Sequence, residues 1–374
     1  VSGVSGPLGG TRVRFGPEIF RIQPRGGVSR YVVELHRGLL AAGVDSAVVA
    51  GWHTSEVLGG VPGVRGLRAP RIGDRAPGRV ATRLVDEVVA ARGAGSLTPD
   101  DIWHPTYFPR RVPRGRSRGG PALVVTVYDM IHERFPEWVQ PRDRSAVRKA
   151  AACAAADLVC CISQDTADDL QERLGVDPGK VAVTRLGVTP VVPVSRTPPF
   201  GAAPYVVYVG DRRSPHKNWH VLLDALVGAD ADLHLVCIGS PAGPTDRTAV
   251  AERGLESRVR FEGGADADVA GRLADAAGLV YPSRYEGFGL PPLEALAQGC
   301  PVVAADAGAI VEVVGGMAIL VPPTVDGIGS GLAQLLAGGP EVEHQRTDGP
   351  AFAARFTWEA TAAATIEAYR TLVI

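Results

Sequence analysis

Two glutamates, Glu286 and Glu294, flank the seven residues GFGLPPL in the stretch YPSRYEGFGLPPLEALAQGCPVVAAD, 281–306. Gly287 and Gly289 have no Cβ to hold a ligand away from the backbone. Pro291 and Pro292 suit a first helical turn, and Gly299 suits its end. The amides of Gly287, Phe288, Gly289 and Leu290, with the positive end of a helix dipole behind them, would then seat a diphosphate. Glu294, expected in the first turn, offers two acceptor oxygens, the number a vicinal diol such as ribose requires. Glu286, one loop away, would reach hydroxyls of whatever the diphosphate carries. Taken singly, Glu294 reads as a complement to the helix dipole and Glu286 as a solvated loop acid. Their combination with two glycines and two prolines after a strand points to a ligand.

The elements that must hold these residues follow from periodicity. Short runs rich in Val, Ile and Tyr, such as SAVVAG near 46, ALVVTVYD near 122, DLVCCIS near 157 and VAVTRLG near 181, alternate with helical patterns such as VSRYVVELHRGLLAAG. Strand and helix in alternation predict parallel sheets. The proline-dense segment 189–204 reads as an interdomain linker, after which strands are expected at 205–210, 233–239, 258–263, 279–283, 301–306 and 318–323. The predicted organisation is a Rossmann-like domain over 1–196, a second over 197–352, and a closing helix over 353–374 that could return to the first domain. Ligands in such sheets bind beyond the carboxyl ends of the strands, and the loop RYEGFGL follows the predicted strand LVYPS.

Bulk composition excludes several classes. A chain of 374 residues exceeds what one core usually supports, and 45% hydrophobic with 21% charged residues is ordinary for a globular protein. A net charge of -1 and a pI near 6.8 give no support to nucleic-acid binding. Cys153, Cys160, Cys161, Cys237 and Cys300 lie mostly in apolar runs without zinc or disulfide spacing, which predicts a reducing, cytoplasmic setting. No apolar run approaches the roughly 18 to 20 residues of a membrane span, and the amino-terminal residues lack a secretory pattern. The chain has only three lysines, Lys149, Lys180 and Lys217, and a single asparagine, Asn218. That bias suggests a GC-rich source and singles out the dipeptide Lys217-Asn218.

At this point EGFGLPPLEALAQGCPVVAADAG resembles the donor-site motif of the retaining glycosyltransferase family 4. The segments RGGVSRYVVEL, WHPTYFP and VTVYDMIHERFPE resemble further stretches of its bacterial mannosyltransferase-like members. The resemblance implies the GT-B fold, two facing Rossmann-like domains with a cleft between them. It also implies transfer of a hexose, with mannose from GDP-mannose as first choice, to a saccharide, lipid-linked or natural-product hydroxyl with retention. No cofactor or metal is expected. Lys217 with Arg212 or Arg213 would neutralise the leaving diphosphate, the two arginines being indistinguishable by spacing, and Glu286 and Asp129 complete the expected catalytic set.

Gly26 and Gly27 open a helix whose amides could meet the donor from the opposite wall, or form a structural turn. Many relatives carry His-Asp where this chain has Tyr128-Asp129. His104, Tyr128 and His132 are candidates for the acceptor side, each histidine having an equally plain structural reading. Asn218 reads as an N-cap. The Asp230–Asp232 and Asp266–Asp268 triplets read as helix caps rather than metal ligands. The base is expected to be read near Phe261–Gly264. The arginine-rich run 109–120 is read as a solvated loop, or as a mobile acceptor loop that touches an anionic lipid headgroup at the inner face of the membrane or a diphosphate-linked carrier. Two rivals share the architecture: a nucleotide-sugar epimerase and a non-catalytic nucleotide-sugar-binding partner protein.

Overall fold

The computed structural model describes residues 6–68, 87–113, 115–195 and 197–373. The first five residues, Arg114 of the arginine-rich run and the expected boundary position 196 lie outside them, as do the side chains of Arg118 and Ala267. The chain forms two compact units, Val1–Gly187 with Trp358–Ile374, and Val188–Thr357.

The first unit is built on seven parallel strands: β1 (Val13–Phe15), β2 (Ser46–His53), β3 (Val64–Arg68), β4 (Ile102–His104), β5 (Ala122–Val127), β6 (Leu158–Cys161) and β7 (Val181–Val183). Their order is β3-β2-β1-β4-β5-β6-β7. β5 and β6 are buried along their whole length, as expected of strands covered on both faces. The helix Gly27–Ala41 buries Tyr31, Val32, Leu35, His36 and Leu39 on one stripe. Against it lies the carboxy-terminal helix Trp358–Arg370. A Cβ on Gly38 would come within 2.5 Å of the Ala362 Cβ, so the two helices pack this closely because position 38 is glycine.

The second unit has six parallel strands: β8 (Tyr205–Val209), β9 (His234–Ile238), β10 (Val259–Glu262), β11 (Gly278–Tyr281), β12 (Val302–Ala305) and β13 (Ile319–Val321). Their order, β10-β9-β8-β11-β12-β13, is the doubly wound order, and it reverses between β8 and β11. Gly278 and Leu279 pair there with Val206 and Val207. Alternate residues feed two cores: Val206, Tyr208 and Val280 on one face, Val207, Leu279 and Tyr281 on the other. The six strands expected in this half all form, within two residues of the expected limits.

The units divide after Gly187 and after Thr357, whereas the sequence placed the divisions at 196/197 and 352/353. Hydrogen bonding explains the difference. Gln298 donates to the Val191 carbonyl, and Val188 N–H donates to the Phe356 carbonyl. The Val194 carbonyl lies 2.1 Å from where a Cβ of Gly271 would stand. Much of the presumed linker is therefore bound to the second unit.

Candidate active site

In the second unit, the loops after β8 and β11 emerge on either side of the strand-order reversal. The first carries a tight turn, Pro215–Lys217, and the Arg284 N–H donates to its His216 carbonyl. Asn218 sits at φ 56°, a left-handed conformation that asparagine tolerates better than most residues. Its side chain does not cap the helix Trp219–Gly228, which corrects the sequence expectation. The amide instead donates to the Pro282 and Pro323 carbonyls. One side chain thus joins the loops after β8, β11 and β13.

That clamp sets Lys217 against Glu286. Lys217 Nζ donates to Glu286 Oε1 at 2.6 Å and to the Tyr281 hydroxyl at 3.2 Å, and lies 5.3 Å from the Tyr281 ring centre. The lysine and glutamate side chains are only 17% and 12% exposed. Burial pushes the Glu286 carboxyl upward, but the charge and hydrogen bond of Lys217, with help from His216, hold it below its ordinary value. Glu286 is therefore a carboxylate at neutral pH.

Gly289 has φ +102° and precedes the helix Leu290–Ala297, whose first turn holds Pro291 and Pro292. The helix ends at Gly299 (φ +66°), with Gly299 N–H bonded to Leu296 and Cys300 N–H to Ala295, the paired bonds of a Schellman motif. The Phe288 side chain is buried, edge-on to Phe356, so only its backbone can face a ligand, consistent with a seat built from amides. Glu294 lies one turn inside the helix rather than in its opening turn, because the helix starts at Leu290.

The two arginines have separate fates. Arg212 is 6% exposed, donates to the Ser240 carbonyl and Asp246, and lies 5.0 Å from the Phe261 ring centre. Its Nε and Nη1 have no hydrogen-bond partner. Arg213 is exposed and pairs with Asp211. Neither is drawn into the Lys217–Glu286 contact. The Asp-x-Asp triplets do local work: Asp230 accepts from the Asp232 N–H, and Asp268 from the Ala265 N–H. Among the described residues no cluster of three metal-ligating side chains forms.

In the first unit, Gly26 and Gly27 open their helix as expected. A Cβ on Gly27 would meet nothing within 4 Å, so its face is open. Asp129 follows β5 and accepts from the Ile131 N–H. Behind it lies a completely buried ammonium. Lys149 donates to the Asp129 carbonyl at 2.7 Å and to Glu133 at 2.6 Å, with Asp129 Oδ1 at 3.8 Å.

His104 is 1% exposed and bonded to Tyr369 and Thr126, and burial lowers its pKa to about 3. That corrects its assignment to an acceptor surface. Tyr128 is likewise buried, its hydroxyl donating to the Thr106 carbonyl. His132 faces Asp143 at 3.6 Å and remains partly exposed. In the arginine-rich run, Arg111 pairs loosely with Glu87, and Arg116 donates to the Pro99 carbonyl, so this stretch is tied to its own unit in part.

A family model described as Glycosyl transferases group 1 matches residues 203–338, and one described as Glycosyltransferase Family 4 matches residues 25–191. A D-inositol 3-phosphate glycosyltransferase from Jonesia denitrificans is 30% identical over 92% of this chain and 91% of its own. The chain belongs to glycosyltransferase family 4. An MMP alpha-(1->4)-mannosyltransferase from Mycolicibacterium hassiacum is 33% identical over 56% of this chain, which spans about half (52%) of that relative. Among solved structures, sucrose-phosphate synthase from Thermosynechococcus elongatus superposes with a TM-score of 0.77 at 21% identity, covering 97% of this chain and 99% of that one. The two α/β units are those of the GT-B glycosyltransferases.

The roles of three residues escape the sequence reading: Tyr281 appears there only as part of the strand LVYPS, Asn218 as a cap, and Lys149 only as one of three rare lysines. A signal existed for each. A tyrosine at the end of a buried strand needs a partner for its hydroxyl, and the lone asparagine and the rare lysines stand out against the arginine-rich composition.

Proposed function

We propose that this family 4 glycosyltransferase moves a hexose, with mannose from GDP-mannose as first choice, from a nucleoside diphosphate to an acceptor hydroxyl, with retention and without a metal. The observation that carries this reading is the Lys217–Glu286 pair beside the glycine turn at the β8/β11 reversal. The Lys217 ammonium and the amides at Gly289 and Leu290 supply positive charge for the departing diphosphate, the duty that a cation performs elsewhere. Glu286, once a diphosphate shares Lys217, turns its oxygens to sugar hydroxyls, and Glu294 takes the ribose diol. The bond from the anomeric carbon to the β-phosphate oxygen breaks through an oxocarbenium-like state. The acceptor oxygen bonds on the same face, and its proton leaves with the phosphate. Mannose is favoured by likeness to a mannosyltransferase, and a saccharide, lipid-linked or natural-product acceptor remains the expected class.

Five buried free cysteines fit a reducing, cytoplasmic setting. Among the described residues no helix is long and apolar enough to cross a membrane. Peripheral contact through the arginines of 109–120 belongs to this proposal.

The test is thermal unfolding with GDP, UDP, ADP and dTDP, each with EDTA and with magnesium. A ligand at 100 times its dissociation constant adds about 2.7 kcal/mol. A rise in melting temperature with one diphosphate, undiminished in EDTA, is expected and names the base. A rise that requires magnesium overturns the metal-free reading, and no rise with any of the four overturns the donor site. The configuration of the product at the anomeric carbon, read by NMR, decides retention.

A further inference from the structure

We propose that Tyr281 is a positioning residue for Lys217, holding the ammonium where it meets the diphosphate. This rests on the donor-site reading of Lys217. Tyr281 closes β11 and is 1% exposed. Its ring lies beneath the glycine turn, with Cε1 4.0 Å from where a Cβ of Gly289 would stand. The hydroxyl accepts from Lys217 Nζ at 3.2 Å, and the ring centre is 5.3 Å from the same atom.

A lysine side chain has four rotatable bonds and loses up to about 2 kcal/mol of rotamer entropy when fixed. Glu286 alone would fix one N–H direction. The Tyr281 hydroxyl fixes a second. An ammonium carries three N–H donors. With one committed to Glu286 and one to Tyr281, the third is left for a phosphate oxygen. Tyr281 thus converts a flexible cation into a preorganised donor.

The experiment measures binding of GDP, UDP, ADP and dTDP by calorimetry to the wild-type chain and to Tyr281→Phe, Lys217→Ala, the double variant and Tyr205→Phe. Phenylalanine keeps the ring and its packing, so the fold is retained, and melting temperature verifies this. Tyr205 is the control, a buried tyrosine of the same sheet whose hydroxyl donates to the Arg272 carbonyl. Loss of a hydrogen bond to a charged group is expected to weaken diphosphate affinity about tenfold in Tyr281→Phe. Tyr205→Phe should bind as the wild type does, and the double variant no worse than Lys217→Ala alone, the mark of one coupled unit.

If Lys217→Ala weakens binding while Tyr281→Phe does not, the positioning inference is overturned and the donor site stands. Equal losses in Tyr281→Phe and Tyr205→Phe overturn it as general destabilisation. If Lys217→Ala binds as the wild type does, or no diphosphate binds the wild type, the donor-site reading itself fails.

Discussion

At the scale of single residues, the proposed chemistry concentrates in two charges of opposite sign that are mostly withdrawn from water. Lys217 and Glu286 are held 2.6 Å apart, close enough that the lysine holds the Glu286 carboxyl below its ordinary value despite burial. Removing either leaves its partner buried and uncompensated, and also removes a contact that the proposed reaction needs. Lys217→Ala and Glu286→Ala are each expected to lower turnover by about 10²- to 10³-fold, with circular dichroism showing an intact fold. Near-normal turnover in both would remove the site from the chemistry. Asn218 belongs to the same scale. Its two donated bonds carry no charge, yet they set the loop on which Lys217 stands.

At the scale of elements, two contacts decide how the first unit is assembled. The segment after β5 wraps around the Lys149 ammonium, which is 0% exposed and bonded to Glu133 and the Asp129 carbonyl. Lys149→Met keeps much of the volume but strands a buried carboxylate. It is expected to cost about 3–5 kcal/mol in urea unfolding of the whole chain, and a loss below 1 kcal/mol would mean that Glu133 finds water or another partner. The second contact is the crossing of Gly27–Ala41 with Trp358–Arg370. A methyl group at position 38 would meet Ala362 at 2.5 Å. Gly38→Ala is expected to cost about 1–3 kcal/mol through overpacking and to speed hydrogen exchange in Trp358–Arg370. Unchanged exchange would show that the helices slide apart without strain.

At the scale of the whole molecule, acid sensitivity follows from buried histidines. Burial lowers the pKa of His104 to about 3, and that of His36 and His53 below the ordinary 6.5. The unfolded chain binds these protons first, so stability is full above pH 6.5 and falls as pH drops toward the folded values. For His104 the slope is about 1.4 kcal/mol per pH unit over that window. His104→Gln should reduce the slope of unfolding free energy between about pH 5.5 and 4.5 by that amount. An unchanged slope would show that His104 is not the group taking up the proton.

Much of this molecule was legible in its residues. Val-rich runs mark the buried strands β5, β6, β8 and β9 because strands covered on both faces are mostly apolar. The glycines and prolines from 287 to 292 mark a turn that few other residues could make. β1, β3 and β4 left weaker traces: β1 and β4 are three residues long, and β3 is an exposed edge strand. Tertiary structure alone decided partners. A buried His104, a clamping Asn218, an Arg212 turned onto Phe261 and a Tyr281 under Lys217 each depend on strands far apart in sequence. Periodicity records which face of an element is covered, but it carries no record of the polar atom waiting on the other side.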